Sequence, residues 1–200
     1  MSAPLAPGGP ASIGYAQSAV AAQPDSTYVL AANALAESVP ASACSAALTL
    51  TTGTAVLVAV HLAAGTLVSN VGFVSVAASV TPTHGWAALV DQSGTVLGVS
   101  ADLTSTVIAA TTWKTLPLVA PATTKYTGLH YVAVMVAAAT EPSLAGSAAV
   151  EAAMSSGTGA PSPGIAVTST AFATVPPTVG ASMGSLTAAG AVVTPYVFVS

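Results

Sequence analysis

The chain is nearly without charge. Of its 200 residues two are lysine, Lys114 and Lys125, none is arginine and six are acidic, so charged side chains make up 4 %, against about 25 % in an ordinary soluble domain. That excludes nucleic-acid binding by phosphate neutralisation, which needs clustered Lys and Arg. It also excludes a polybasic contact with anionic lipid. Cysteine is limited to Cys44, so no intrachain disulfide forms; a lone thiol among small apolar residues is expected to be buried and inert. Long apolar runs are missing as well. The best, Ala55–Ala64 and Tyr131–Ala139, reach about half the 20 residues that a spanning helix needs. A membrane barrel would alternate apolar and polar residues along each strand, whereas both strand faces here are mostly apolar or small. Met1–Pro10 has neither a basic start nor a continuous apolar core, so no secretory signal is expected and synthesis in the cytosol is.

What is present is small and apolar. Hydrophobic residues make up 53 % and aromatics 5 %, with a mean hydropathy of +0.79 and a pI near 4.9. A dispersed protein needs charges of both signs on its surface. Much of this surface is therefore expected to be covered by further protein, and a homo-oligomer, a trimer by closed symmetry, is the expected state.

Residues 1–40 read as an extended Pro/Gly/Ala-rich arm. Pro4, Pro7, Gly8, Gly9, Pro10 and Gly14 prevent regular structure. Val29–Glu37 has the composition of a short helix that Pro40 would end. Such an arm is expected to drape over a neighbouring subunit.

Residues 41–200 read as one all-β domain, an antiparallel sandwich of jelly-roll-like type. Short runs are separated by turn signals. In Thr54–Leu62, branched Val56, Val58, Val60 and Leu62 share one face while Ala55, Leu57, Ala59 and His61 share the other, as a strand requires. Ala63-Ala64-Gly65 turns the chain into Leu67–Ala77, and Thr81-Pro82-Thr83 reads as a loop. Asp91-Gln92-Ser93-Gly94, between Trp86–Asp91 and Thr95–Ala101, is the strongest hairpin signal. Thr106–Thr111 and Lys114–Leu118 are shorter runs. Tyr126–Ala138 is apolar on both faces and is expected to be central. Ile165–Ala173 and Val192–Val199 supply late strands, with Tyr196 and Phe198 on one face and Pro195 marking an edge or bulge.

No catalytic, cofactor or metal constellation stands out. His61, His84 and His130 show no ligand spacing, and only Asp91 and Asp102 lie near them in sequence. No Gly-x-Ser-x-Gly elbow or Gly-rich phosphate loop is present. The acidic residues read as solvated turn and loop residues rather than a hydrolytic pair. Trp86, Trp113, Tyr126 and Tyr131 could stack sugars, or could anchor the core. Lys114 beside Trp113 could make a cation–π contact or face an interface. Trp86, Trp113, Lys114 and Tyr126 are thus the candidate interface or ligand-contact residues.

Gly65–Phe73, Trp86–Asp91 and Gly128–Ala133, spaced through Leu67–Ala138, resemble the β-sandwich domains of tailed-phage virion proteins, in particular those of actinobacteriophages: head decoration, head fibre and minor tail proteins. The resemblance implies a non-enzymatic virion subunit that cements the head, with the major capsid protein or other virion proteins as partner. It equally admits a tail or fibre protein that binds a receptor or a host-surface glycan.

Overall fold

The computed structural model describes residues 34–148, 166–188 and 193–200. Most of the expected arm thus lies outside the described residues. In chain order the strands are β1 (Ala36–Glu37), β2 (Ala46–Thr49), β3 (Ala55–Leu62), β4 (Leu67–Ala77), β5 (Val80–Asp91), β6 (Val96–Val99) and β7 (Thr112–Thr123). There follow β8 (Gly128–Thr140), β9 (Ser143–Ser147), β10 (Ala166–Ser169), β11 (Thr187–Ala188), β12 (Thr194–Pro195) and β13 (Val197–Val199). One 3-10 turn, Ala41–Ala43, precedes β2.

All pairings are antiparallel and divide between two sheets. Four strands of the first lie in the order β2-β9-β4-β7. Four of the second lie in the order β3-β8-β5-β6. From β2 to β9 the chain changes sheet at every step except the β5–β6 hairpin. That winding is a jelly roll, two Greek keys closed into a sandwich. The remaining strands are additions at its margins: β10 and β11 extend the second sheet beside β3, while β13, β1 and β12 extend the first.

The strands of the second sheet are apolar on both faces because both faces are buried. Val56, Val58, Val60 and Leu62 of β3 point between the sheets, where they meet Val71, Phe73, Leu116 and Leu144 from the first. Ala55, Leu57 and Ala59 point the other way, with Trp86, Ala88, Tyr131, Ala133 and Met135. A segment running from β10 to β11 covers this second face with Phe172, Met183 and Leu186. It is tied down by Trp86 Nε1 donating to the Phe172 carbonyl at 3.2 Å. Backbone bonds from Met183 to Gly94 (2.8 Å) and from Val96 to Ala181 (2.9 Å) also hold it. The alanines let it lie close. Part of the apolar surface that composition assigns to a partner is therefore covered by the chain itself.

Several sequence expectations hold. β3, β4 and the β5–β6 hairpin fall where the pattern puts them, β8 is central between β3 and β5, and Pro195 lies in β12 at the margin of its sheet. Others do not. Thr81-Pro82-Thr83 is no loop: it opens β5, with Pro82 opposite Ala138 and a bulge before His84. Thr106–Thr111 is no strand, because Ile108 instead closes on Ser79. Ala36–Glu37 is no helix but a strand against Phe198 and Val199, so the end of the expected arm is part of the sandwich. Cys44 is half-buried rather than enclosed; burial and then the Glu37 charge raise its pKa.

Replacing Val58, fully buried between the sheets, with Asp leaves a charge without a partner and is expected to abolish the β signature in circular dichroism. Leu57→Ala under the covering segment and Leu89→Ala between the sheets are each expected to cost about 2–5 kcal/mol in urea unfolding. A Leu57→Ala cost within error of zero would show that the covering segment does not form a second core.

Candidate functional site

A jelly roll collects its turns at two ends. Here the two ends differ in chemistry, and the candidate residues divide between them.

One end carries the turns at 63–66, 92–95 and 124–127. They are knitted together by short polar side chains. Thr124 Oγ1 donates to the Ala63 carbonyl at 2.6 Å and accepts from the Thr66 amide at 2.9 Å. Thr127 Oγ1 accepts from the Ala64 amide at 2.9 Å. Asp91 Oδ1 accepts from the Ser93 amide and hydroxyl and from the Thr95 amide, all within 2.8 Å, and Gly94 supplies the positive φ of 85°. Tyr126 joins the third turn to the second: its hydroxyl accepts from the Gln92 amide at 2.7 Å and donates to the Leu129 carbonyl at 3.2 Å. Its ring stacks on His130 at 4.7 Å. Burial, with the Asp91 charge, pushes the Tyr126 hydroxyl above the usual tyrosine range.

The other end carries the connections at 50–54, 78–79, 100–111 and 141–142, and it is the more apolar in its large exposed side chains, which stand among exposed Thr51, Thr52, Thr104, Ser105 and Thr106 and the partly buried Asp102 and Glu141. Val76 at the end of β4, Val80 at the start of β5, Val107 in the long β6–β7 connection and Trp113 at the start of β7 are all exposed. The remaining large exposed hydrophobics of the described residues are scattered: Leu35 near β1, Leu67 at the polar end, Val119 along β7, Val175 and Val179 on the covering segment. Trp113 is 52 % exposed, yet its ring is fixed. It stands edge-on to Tyr196 at 5.5 Å and tilts against Phe198 at 5.7 Å. The Phe198 ring lies over Gly72, where a Cβ would collide with it. Tyr196 donates to Glu37 Oε2 at 3.0 Å; burial and that bond push its hydroxyl far above the usual range. Thr81, Ser105 and Thr111, three of the four non-glycine residues with positive φ among those described, belong to this end. Such strain persists only where surrounding structure holds it, and it gathers at functional surfaces.

The four candidate residues therefore have four different fates. Trp113 is an exposed, pre-positioned ring at the apolar end. Lys114 is half-buried opposite Phe73 on β7, where Pro117 and Pro121 blunt the strand as an edge. Tyr126 is a staple at the polar end. Trp86 is corrected: it is buried beneath the covering segment and presents no face to a ligand. Tyr131 is likewise buried. Val76, Val80 and Val107 escape sequence reading because nothing in a valine's local pattern distinguishes an exposed end from a core position.

The histidines separate. His61 is exposed, His130 is buried, and His84 Nδ1 meets Asp102 Oδ2 at 2.7 Å. Asp102 Oδ1 also accepts from the Gly85 amide at 3.0 Å, which clips the β6–β7 connection onto β5. Burial opposes ionisation of Asp102, but the bonds from His84, Gly85 and Thr104, with the His84 charge, outweigh it and hold its pKa below the usual carboxylate value. Among the described residues no three His, Cys, Asp or Glu side chains gather as a metal site. No helix among them is long and apolar enough to cross a membrane. No protein-family model matches the chain, and no curated protein matches it.

A carboxylate with a lowered folded pKa contributes stability above its unfolded value and loses it as pH falls through the folded one. Asp102→Asn is therefore expected to lower the melting temperature at neutral pH, and the two melting curves are expected to converge between about pH 5 and pH 2. Parallel curves would show that the clip contributes nothing. Tyr126→Phe is expected to cost about 1 kcal/mol in urea unfolding.

Proposed function

We propose that the chain is a non-enzymatic structural subunit of a phage virion, a decoration or cementing protein that docks on the head through its apolar end. The observation that carries this reading is Trp113, exposed but immobilised on Tyr196 and Phe198, at the same end as exposed Val76, Val80 and Val107. An aromatic anchor whose rotamer is already chosen loses little entropy on binding, and such anchors dominate interface energetics. The jelly roll supports the reading by analogy alone, since virus capsids use it. Partners of this kind are the major capsid protein, other virion proteins and further copies of the chain.

Lectins also use jelly rolls, and an exposed tryptophan suits sugar stacking. A tail or fibre protein that binds a host-surface glycan is thus the second reading. It is the weaker one, because Trp86 and Tyr131 are buried and Tyr126 is committed to His130. Of those four candidate aromatics only Trp113 is left exposed, where a platform needs several.

Antibody-gold labelling of intact particles separates the readings: label over the icosahedral shell is expected, label confined to a tail tip or fibre would establish the second reading, and none on any particle would end both. Trp113→Ser combined with Val107→Ser is expected to keep the circular dichroism of the parent and to weaken particle binding by at least about 2 kcal/mol, roughly 30-fold.

A further inference from the structure

His130 is an ionisable group sealed inside the polar end between the sheets, and its hydrogen bonding is incomplete; the Tyr131 hydroxyl, also buried without a partner, lies on the opposite, covered face of β8. His130 lies on β8 in register with Val60 of β3 and Asp91 of β5, and it is fully buried. Nδ1 faces the Gly128 carbonyl at 3.1 Å. A carbonyl only accepts, so Nδ1 carries the proton and Nε2 is a bare acceptor. Nε2 is buried without a partner. Above the imidazole lies the Tyr126 ring, whose hydroxyl holds both Gln92 and Leu129. The neutral ring is thus the floor on which the staple between two turns rests.

We propose that His130 is an acid-operated release for the polar end: its protonation dismantles the Tyr126 staple and loosens the turns at 92–95 and 124–127. A second proton must go on Nε2, which would then become a buried donor with nothing to receive it, beside a buried positive charge. The surroundings do not compensate. From β5 the facing ionisable group is Asp91, whose Oδ1 is already committed to Ser93 and Thr95. From β3 it is His61, on the other face of the strand, whose positive charge would oppose a second one here. The turn before β8 offers the uncharged Tyr126 and the exposed cation Lys125. Leu67–Asn70 of β4 and Pro117–Thr123 of β7 contain no ionisable side chain. The Tyr126 ring face attracts a cation, but burial outweighs it: desolvation, chiefly, and the His61 charge lower the His130 pKa despite the Gly128 bond and Asp91. A buried histidine of this kind leaves stability intact above the unfolded value and removes it as pH falls from there toward the folded value. The release therefore belongs to mildly acidic pH, above the range in which Asp102, with its lowered pKa, gives up its charge.

The test is hydrogen exchange of the full chain, read by mass spectrometry at about pH 7.5 and about pH 5 and corrected for the intrinsic rate. Protection of Asp91–Thr95 and Lys125–Tyr131 is expected to fall by about tenfold or more at the lower pH. Strands β3 and β4 are expected to keep theirs. In His130→Phe, which keeps an aromatic floor but cannot titrate, protection is expected to be equal at the two pH values; His61→Gln is expected to behave as the parent. Unchanged protection in the parent, or the same loss in His130→Phe, overturns the proposal. Should His130→Phe fail to fold, proton NMR of the parent decides: Tyr126 ring resonances are expected to move with the midpoint of the imidazole that titrates lowest. Movement at the midpoint of an exposed histidine, or only in the carboxylate range, overturns it equally.

Discussion

Burial of the second sheet on both faces is the constraint on which the structure depends. A sheet covered on one side alternates apolar and polar residues; β3, β5 and β8 do not, so each of their faces must find cover. The first sheet covers one face. The covering segment between β10 and β11 covers the other and is anchored by the Trp86 indole and by backbone bonds to the β5–β6 turn. A chain with so little charge can fold as an ordinary sandwich because much of its apolar surface is spent on this third layer. Small side chains make the arrangement possible: Ala55, Ala59, Ala88 and Ala133 leave room for a segment to lie flat where larger residues would hold it away.

The same economy makes the two ends unequal. At the polar end, threonines, Asp91 and Tyr126 satisfy the backbone groups of three turns at once, so little is left to offer a partner. At the other end Ser79, Ser100, Asp102 and Thr112 hold the connections, but three residues sit in the left-handed region, and valines and a tryptophan face outward. An end built this way is suited to being covered. The histidines follow the same division: His84 clips an exposed connection through a partly buried carboxylate, whereas His130 is sealed beneath the polar end with one nitrogen unpartnered.

The local alternation of β3, the Asp-Gln-Ser-Gly hairpin and the two-faced apolar run of β8 are all readable because period and turn chemistry are local properties. The candidate residues were less readable. Trp86 and Trp113 look equivalent in sequence: each is an aromatic among small residues near the start of a strand. One is buried and one exposed because the covering segment, some ninety residues further on, closes over the first, as Phe172 lies 86 residues from Trp86. Pro82 signals a turn locally but is tolerated at the start of β5 beside a bulge, where the missing amide is not needed.

The sequence by itself determined that the chain is all-β and that its strands bury two faces, because composition and periodicity act residue by residue. Only the tertiary structure decided which apolar residues are left over. The jelly-roll winding brings the ends of β4, β5 and β7 together at one pole and the turns of Asp91, Thr124 and Tyr126 at the other. Exposure is the remainder after distant segments have packed, and no stretch of chain contains it alone.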